Sequence, residues 1–277
     1  MHYTKMHGAG NSFVLIESRN GELQGIHPGK LALRLCGKNG IHADGLIVVV
    51  PAKSDEDFGM LFYNADGSQG EMCGNGARCL ARYGVEHGLA RDPDCIRIAA
   101  TAGLVTARRI TEEQYEVRLN DPSVIDLHRA VVANGQGFDC AYMELGDPGI
   151  PHAVVESTAE EMEDLAALLE KGRALRYSEA FPRGANVTFA HVTGNGTVKA
   201  ITFERGVEDF TLSCGTGCGA TAATLLLRRS VSEKPVKIRM PGGELRVTVG
   251  IDESGVHDIL LQGPTAVVEE GEFDPVR

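Results

Sequence analysis

The chain has 277 residues with 43% hydrophobic and 23% charged residues, the balance of a water-soluble globular protein with room for two cores. Its formal net charge of −11, with no basic cluster to offset it, argues against nucleic acid as a partner. No run of about 18 apolar residues offers a membrane span, and the opening MHYTKMHGAG lacks the apolar core of a signal peptide. Seven scattered cysteines, an odd number, read as reduced thiols rather than a disulfide framework, so a cytoplasmic location is expected.

In chain order, a strand is predicted over Met1 to Ile16, broken at His7-Gly8-Ala9-Gly10-Asn11. A short helix follows over 29–36, then strands at 46–50 and 58–63, the second ending in the turn Asn64-Ala65-Asp66-Gly67. Residues 77–87 carry Ala77, Leu80, Ala81, Gly84 and Val85 at helical spacing, with Gly88 as the stop. Strands are then predicted at 96–98, 104–109 and 115–119, and Asp121-Pro122 marks a crossing into a second half. That half begins with a strand at 140–145 and a loop over 146–152. Ser157 opens a capping box with Glu160, ahead of an amphipathic helix through Met162, Leu165, Leu168 and Leu169. Strands at 187–193 and 198–203 precede a helix over 218–229, small or apolar nearly all round, with Arg228 and Arg229 at its negative end. The last strands fall near 236–239, 244–250 and 257–261. Many short strands without βαβ alternation make this α+β.

Two stretches repeat one pattern: Cys73-Gly74-Asn75-Gly76 and Cys214-Gly215-Thr216-Gly217, each leading into a predicted helix. A cysteine at a helix N-terminus meets unsatisfied N–H groups and the positive dipole end, which favour a thiolate. The glycines admit a bound anion close to the backbone. The neighbourhood repeats as well. Gly8-Ala9-Gly10-Asn11 before a strand is echoed by Arg183-Gly184-Ala185-Asn186 before a strand, and Asn64 precedes Cys73 much as Glu204 precedes Cys214. A duplicated chain is expected, with the two cysteines facing each other across a cleft. A thiolate and a thiol on opposite sides of one carbon can invert it, one removing the proton and the other returning one. Two helix N-termini can stabilise the charge that develops on the neighbouring carboxylate. Asn11, Asn64, Asn186, Glu204 and Arg205 are hydrogen-bonding groups suited to an amino-acid substrate.

The motifs KMHGAGNSFV (5–14), ADGLIVV (43–49), FYNADGSQGEMCGNGARC (62–79), ERG (204–206), CGTG (214–217) and MPGGEL (240–245) together resemble the diaminopimelate epimerase family over most of the chain. The resemblance implies cofactor-independent epimerisation of LL- to meso-diaminopimelate, in lysine and peptidoglycan-precursor biosynthesis, and a homodimer. It implies two pseudo-symmetric domains, each a mixed, barrel-like sheet around a central helix, at 1–119 with the tail 263–277 and at 120–262. By position, Cys73 and Cys214 fall on the family's acid/base pair, with His152 and Glu204 supporting catalysis. Gly74, Asn75, Gly215 and Thr216 fall on its carboxylate nests, and Asn11, Asn64, Asn186, Glu204 and Arg205 on its substrate contacts. The chain departs from many members at Ile150, where Asn is common, at Gly45, where some carry Gln, and at Ser12, where Asp is common.

Against these stand plainer readings. CGNG or CGTG alone is more often a glycine turn beside a buried thiol. The Cys73/Cys79 and Cys214/Cys218 spacings lack the paired CxxC of a zinc site, so no metal is expected; that there is no cofactor is what the resemblance implies. Cys36, Cys79, Cys95, Cys140 and Cys218 read as small core residues. Glu160, Glu161, Glu163 and Asp164 read as a solvated helix face, and His2, His7, His27, His42 and His87 as structural. Two other functions remain open: a related racemase of another amino acid, and a non-catalytic anion-binding protein.

Overall fold

The computed structural model describes residues 1–70 and 72–275. Along the chain run β1 (His2–Gly8), β2 (Asn11–Glu17), α1 (Pro28–Cys36), β3 (Gly45–Val50), β4 (Phe58–Asn64), β5 (Gln69–Gly70), α2 (Gly74–Glu86), β6 (Ile96–Ala100), β7 (Gly103–Arg109) and β8 (Gln114–Arg118). These are followed by β9 (Pro122–Ala133), β10 (Gln136–Gly146), β11 (Gly149–Glu156), α3 (Leu165–Arg176), β12 (Asn186–Gly194), β13 (Thr197–Phe203), β14 (Phe210–Thr211), α4 (Gly215–Leu227), β15 (Val236–Met240), β16 (Gly243–Asp252), β17 (Gly255–Pro264) and β18 (Ala266–Glu272). The chain divides into two compact units, residues 1–118 with 262–277 and residues 119–261.

In the first unit, β18 pairs antiparallel with β1, β1 antiparallel with β2, β2 parallel with β3, and β3 antiparallel with β4. Strand β4 takes β5 antiparallel and β6 parallel, and β7 and β8 follow antiparallel. Alternation along the strands explains why this sheet is buried on both faces. Val14 and Ile16 of β2 and Leu46 and Val48 of β3 pack with Leu31, Ala32 and Leu35 of α1. The residues between them face α2, whose Gly76 lies so close that a Cβ there would meet Phe13 and Ile47. Gly84, one strand further along, would meet the ring of Phe58 at 2.4 Å. Helix α2 is therefore the central helix of a mixed sheet, and its glycines set the approach distance.

The second unit repeats the scheme strand for strand. Strand β9 pairs antiparallel with β10, β10 with β11, β11 parallel with β12, and β12 antiparallel with β13. Strand β13 takes β14 antiparallel and β15 parallel, and β16 follows antiparallel. Met162, Leu168 and Leu175 cover one sheet face, packing with Val155, Val187, Phe189, Ile201 and Phe203. Helix α4 takes the other face. Its Gly219 would place a Cβ 2.7 Å from Leu119 and 3.2 Å from Ile259. The two units are pseudo-symmetric, with α2 and α4 at equivalent places.

Strand register makes the equivalence residue-specific. Phe13 pairs with Gly45 and Gly45 with Asn64 in the first unit. In the second, His152 pairs with Asn186, and Val187 with Phe203, which puts Glu204 at the place of Asn64. Asn11 therefore corresponds to Ile150, and Gly45 to Asn186. The echo between Gly8-Ala9-Gly10-Asn11 and Arg183-Gly184-Ala185-Asn186 is corrected here, because the first is the β1–β2 hairpin and the second the entry to β12.

Other expectations shift in detail. Residues 149–152, expected as loop, start β11. The capping box belongs to Thr158 and Glu161, which exchange backbone-to-side-chain bonds at 2.9 and 3.2 Å. Asp164 caps α3 itself, so the acidic run precedes the helix instead of lying on it. Cys95 is exposed, while Cys36, Cys79, Cys140 and Cys218 are buried as expected. Among the described residues no helix is long and apolar enough to cross a membrane.

Candidate active site

Each cysteine stands immediately before a 13-residue helix. Cys73 is the N-cap of α2 and Cys214 the N-cap of α4, both with extended backbone at the helix entrance. Gly74, Asn75 and Gly76 form the first turn of α2; Gly215, Thr216 and Gly217 that of α4. The backbone N–H groups of such turns have no intrahelical acceptor and carry the positive end of the dipole.

In the first unit, Asn75 is 2% exposed and held on both sides. Its Nδ2 donates to Asn11 Oδ1 at 2.6 Å, and its Oδ1 accepts from Arg78 Nη2 at 2.8 Å. Arg78 is wholly buried, and nothing in the sequence pattern marked it for a place beside the site. Asn64, at the exposed end of β4, donates to Ser68 Oγ at 3.0 Å. Gly45 is a position where no side chain fits, since a Cβ would meet Phe62 at 2.6 Å and the Tyr63 carbonyl at 2.9 Å. Ser12 is matched to Asp44, whose Oδ2 accepts from the Ser12 backbone at 2.7 Å and from its hydroxyl at 3.1 Å.

In the second unit, Cys214 Sγ accepts the Gly217 N–H at 3.4 Å and lies 3.7 Å from Thr216 Oγ1. Sequence reasoning expected the helix end to acidify this thiol, but the balance goes the other way. Burial pushes its pKa well above the ordinary value, the Glu204 carboxylate adds to the rise, and the Gly217 and Thr216 contacts offset only part of it. Cys214 is held as a thiol. Glu204 Oε1 accepts from the Thr211 hydroxyl at 3.0 Å.

Asn186 is buried and its amide is committed to backbone: Oδ1 accepts from the Arg205 N–H at 2.9 Å and Nδ2 donates to Pro151 O at 3.3 Å. It braces the Glu204–Arg205 turn against β11. The Arg205 side chain is exposed and donates to Arg183 O at 3.2 Å. His152 is fully buried beside Asn186 in the sheet register. Neither ring nitrogen has a hydrogen-bond partner among the described residues, and burial together with the Arg205 charge pulls its pKa down to about 3. It is a neutral imidazole. Ile150, two residues before it, is partly exposed.

The geometry thus gives each unit a cysteine at the mouth of its central helix, with polar side chains at equivalent strand ends. The diaminopimelate epimerase family profile matches residues 3–125 and 146–265, which include both cysteine helices. The diaminopimelate epimerase of Aquifex aeolicus is 34% identical over 281 residues, covering 98% of this chain and 97% of the relative. That of Archaeoglobus fulgidus is 35% identical, covering 90% of each.

The chain belongs to the diaminopimelate epimerase family.

It is an isomerase of that family. Among solved structures, a probable proline racemase from Agrobacterium radiobacter superposes with a TM-score of 0.71 at 17% identity, covering 99% of this chain and 92% of its own. A PhzF-family phenazine biosynthesis protein from Bacillus anthracis superposes with a TM-score of 0.73 at 13% identity, covering 99% and 98%. At these identities the likeness is one of fold, and it extends over both pseudo-symmetric units.

Proposed function

We propose that this diaminopimelate epimerase family member interconverts LL- and meso-diaminopimelate by a two-base mechanism on Cys73 and Cys214. The observation that carries the reading is the equivalence of the two cysteines: each caps the central helix of its own unit, at the same step of the same strand order. One sulfur, as thiolate, removes the α-proton, and the other, as thiol, returns a proton to the opposite face. Cys214, held protonated by burial and Glu204, suits the donor in one direction. In the reverse direction the roles exchange. Charge that builds on the carboxylate during proton removal is met by the first-turn N–H groups at Gly74–Asn75 and Gly215–Thr216.

Around the pair, Asn11, Asn64, Glu204 and Arg205 supply contacts for the ammonium and carboxylate groups, while Asn186 holds Arg205 in place. The neutral His152 of β11, buried beside Asn186 of β12, supports that arrangement. The reaction needs no cofactor in this reading, and its product serves lysine and peptidoglycan-precursor biosynthesis. A homodimer in the cytoplasm is part of the same proposal.

Purified protein incubated with LL-diaminopimelate in D2O tests it. Product should carry deuterium at one α-carbon, and the substrate remaining early in the reaction should carry little, because donor and acceptor are different groups. Cys73→Ala and Cys214→Ala should each fold and fail to epimerise. Full turnover by either variant ends the two-base reading.

A further inference from the structure

Arginine side chains are almost never wholly buried, because a guanidinium out of water costs several kcal/mol unless its donors are used. Arg78 of α2 is 0% exposed, one helical turn beyond Asn75, to whose Oδ1 it donates at 2.8 Å. What it does there follows from hydrogen-bond polarity. An asparagine amide has a donor end and an acceptor end that can exchange by a flip, so its orientation is set by its neighbours. A guanidinium has donors only. The end of Asn75 that faces Arg78 must therefore be the oxygen, which turns Nδ2 toward Asn11. The facing atom of Asn11, 2.6 Å away, must then accept, so it is Oδ1. Asn11 is left with Nδ2 on its outer side, and the residue is partly exposed at the start of β2.

We infer that Arg78 is a positioning residue. It fixes the polarity of an Arg78–Asn75–Asn11 relay so that Asn11 presents an N–H donor, and the half-site beside Cys73 is thereby set to receive a carboxylate oxygen and to refuse an ammonium. The inference rests on the reading of that half-site as substrate-binding. Arg78 touches no reacting atom and acts through two amides.

The second unit supplies the control within the same molecule. At the places of Asn11, Asn75 and Arg78 stand Ile150, Thr216 and Gly219, so all three members are missing together. An arginine there would have to displace Leu119 and Ile259, since even a Cβ on Gly219 would meet them at 2.7 and 3.2 Å. A relay that works as a unit has no use for one surviving member. The two nests are therefore not interchangeable: the α2 end carries an oriented side-chain donor in addition to its backbone N–H groups, and the α4 end relies on backbone and the Thr216 hydroxyl.

Kinetics on LL-diaminopimelate with Arg78→Met and Arg78→Lys, beside their melting temperatures, test the inference. Arg78→Met frees Asn75 to flip and should raise KM about tenfold or more while kcat changes less. Arg78→Lys keeps a donor-only group and should recover most of the loss. A packing role alone would lower the melting temperature and leave KM untouched in the folded variant. The inference is overturned if folded Arg78→Met binds like wild type, or if Lys and Met are equally impaired. Should Arg78→Met fail to fold, side-chain amide NMR of the unmutated protein titrated with glutarate decides. The Asn11 NH2 signals should shift while those of Asn75 stay protected from exchange; the opposite pattern sinks the relay. The titration needs no turnover, so it separates failure of the relay from failure of the proposed reaction.

Discussion

The Gly217 N–H donates to Cys214 Sγ over 3.4 Å, so the second cysteine caps its own helix with sulfur where a serine or aspartate would use oxygen. Sulfur is a weak acceptor as a thiol and a better one as a thiolate. The bond therefore strengthens as the proton leaves, while Glu204 opposes that departure. Replacing Glu204 by Gln keeps an oxygen for the Thr211 hydroxyl and removes the charge. The Cys214 pKa should fall, and alkylation of Cys214 by iodoacetamide, followed by mass spectrometry from pH 7 to 10, should set in at lower pH. An unchanged or higher onset would mean that Glu204 does not act on the sulfur.

Gly217 itself gives a second test. A Cβ there would stand 3.1 Å from Cys214 Sγ and 3.2 Å from Thr188 Oγ1, close enough to push the sulfur by a few tenths of an ångström. Alanine's helix preference over glycine, below the roughly 1 kcal/mol of a helix interior because Gly217 lies in the first turn, offsets part of the crowding. Gly217→Ala should melt close to the wild-type temperature, yet lose about tenfold or more in kcat through misplaced sulfur. Wild-type turnover in the folded variant would show that the sulfur has slack.

His152 predicts a pH dependence with a definite sign. Its folded pKa, about 3, lies below the unfolded value near 6.5, so between these limits the unfolded chain takes up a proton that the folded one refuses. Stability is complete above about 6.5 and is lost as pH falls toward 3. His152→Phe keeps the ring and removes the titration. Between pH 7 and 4.5 wild type should lose about 2–3 kcal/mol more than His152→Phe in urea melts. Parallel losses in the two proteins would show that the buried ring contributes no such term.

Arg205 is exposed, fixed through its backbone to Asn186, and its Nη1 donates to the Arg183 carbonyl; in the proposed reaction its planar guanidinium holds the distal carboxylate. Arg205→Lys retains the charge and loses the fork, and kcat/KM for LL-diaminopimelate should drop about tenfold or more, roughly 1.4 kcal/mol. Lysine, which lacks the distal carboxylate, should be a poor substrate of the wild type. Comparable turnover of lysine would instead favour a racemase of another amino acid, the reading to which Ile150 lends weight.

What could be read from the sequence was what local chemistry writes plainly. Glycines around a cysteine, followed by small and apolar residues, announce α2 and α4, and the spacing from Asn64 to Cys73 and from Glu204 to Cys214 reports a true equivalence. Strands that are half or wholly exposed were harder. Residues 122–133 of β9 and 266–272 of β18 lack apolar alternation, and β11 carries Pro151 as its third residue, so none of the three stood out. The Asn11–Asn186 echo misled because four residues before a strand do not say which strand. Arg78 was invisible for a different reason: a buried arginine has no pattern, and only the folded chain brings it against Asn75.

The pairing of β18 with β1, in the manner of β9 with β10, has a consequence for how the chain is strung. The Met1 amine donates to Phe273 O at 2.7 Å and the Phe273 N–H returns a bond to Met1 O at 2.9 Å, so the two ends of the fold meet. Read as a ring, the order is one strand followed by eight, twice over: β9 with β10 to β17, then β18 with β1 to β8. A ring can be cut elsewhere. Opening it at the exposed Asn134-Gly135 turn between β9 and β10, and bridging Phe273 to Met1 with a short flexible linker, breaks no strand pair. Such a circular permutant should keep its circular-dichroism spectrum and its melting temperature within a few degrees.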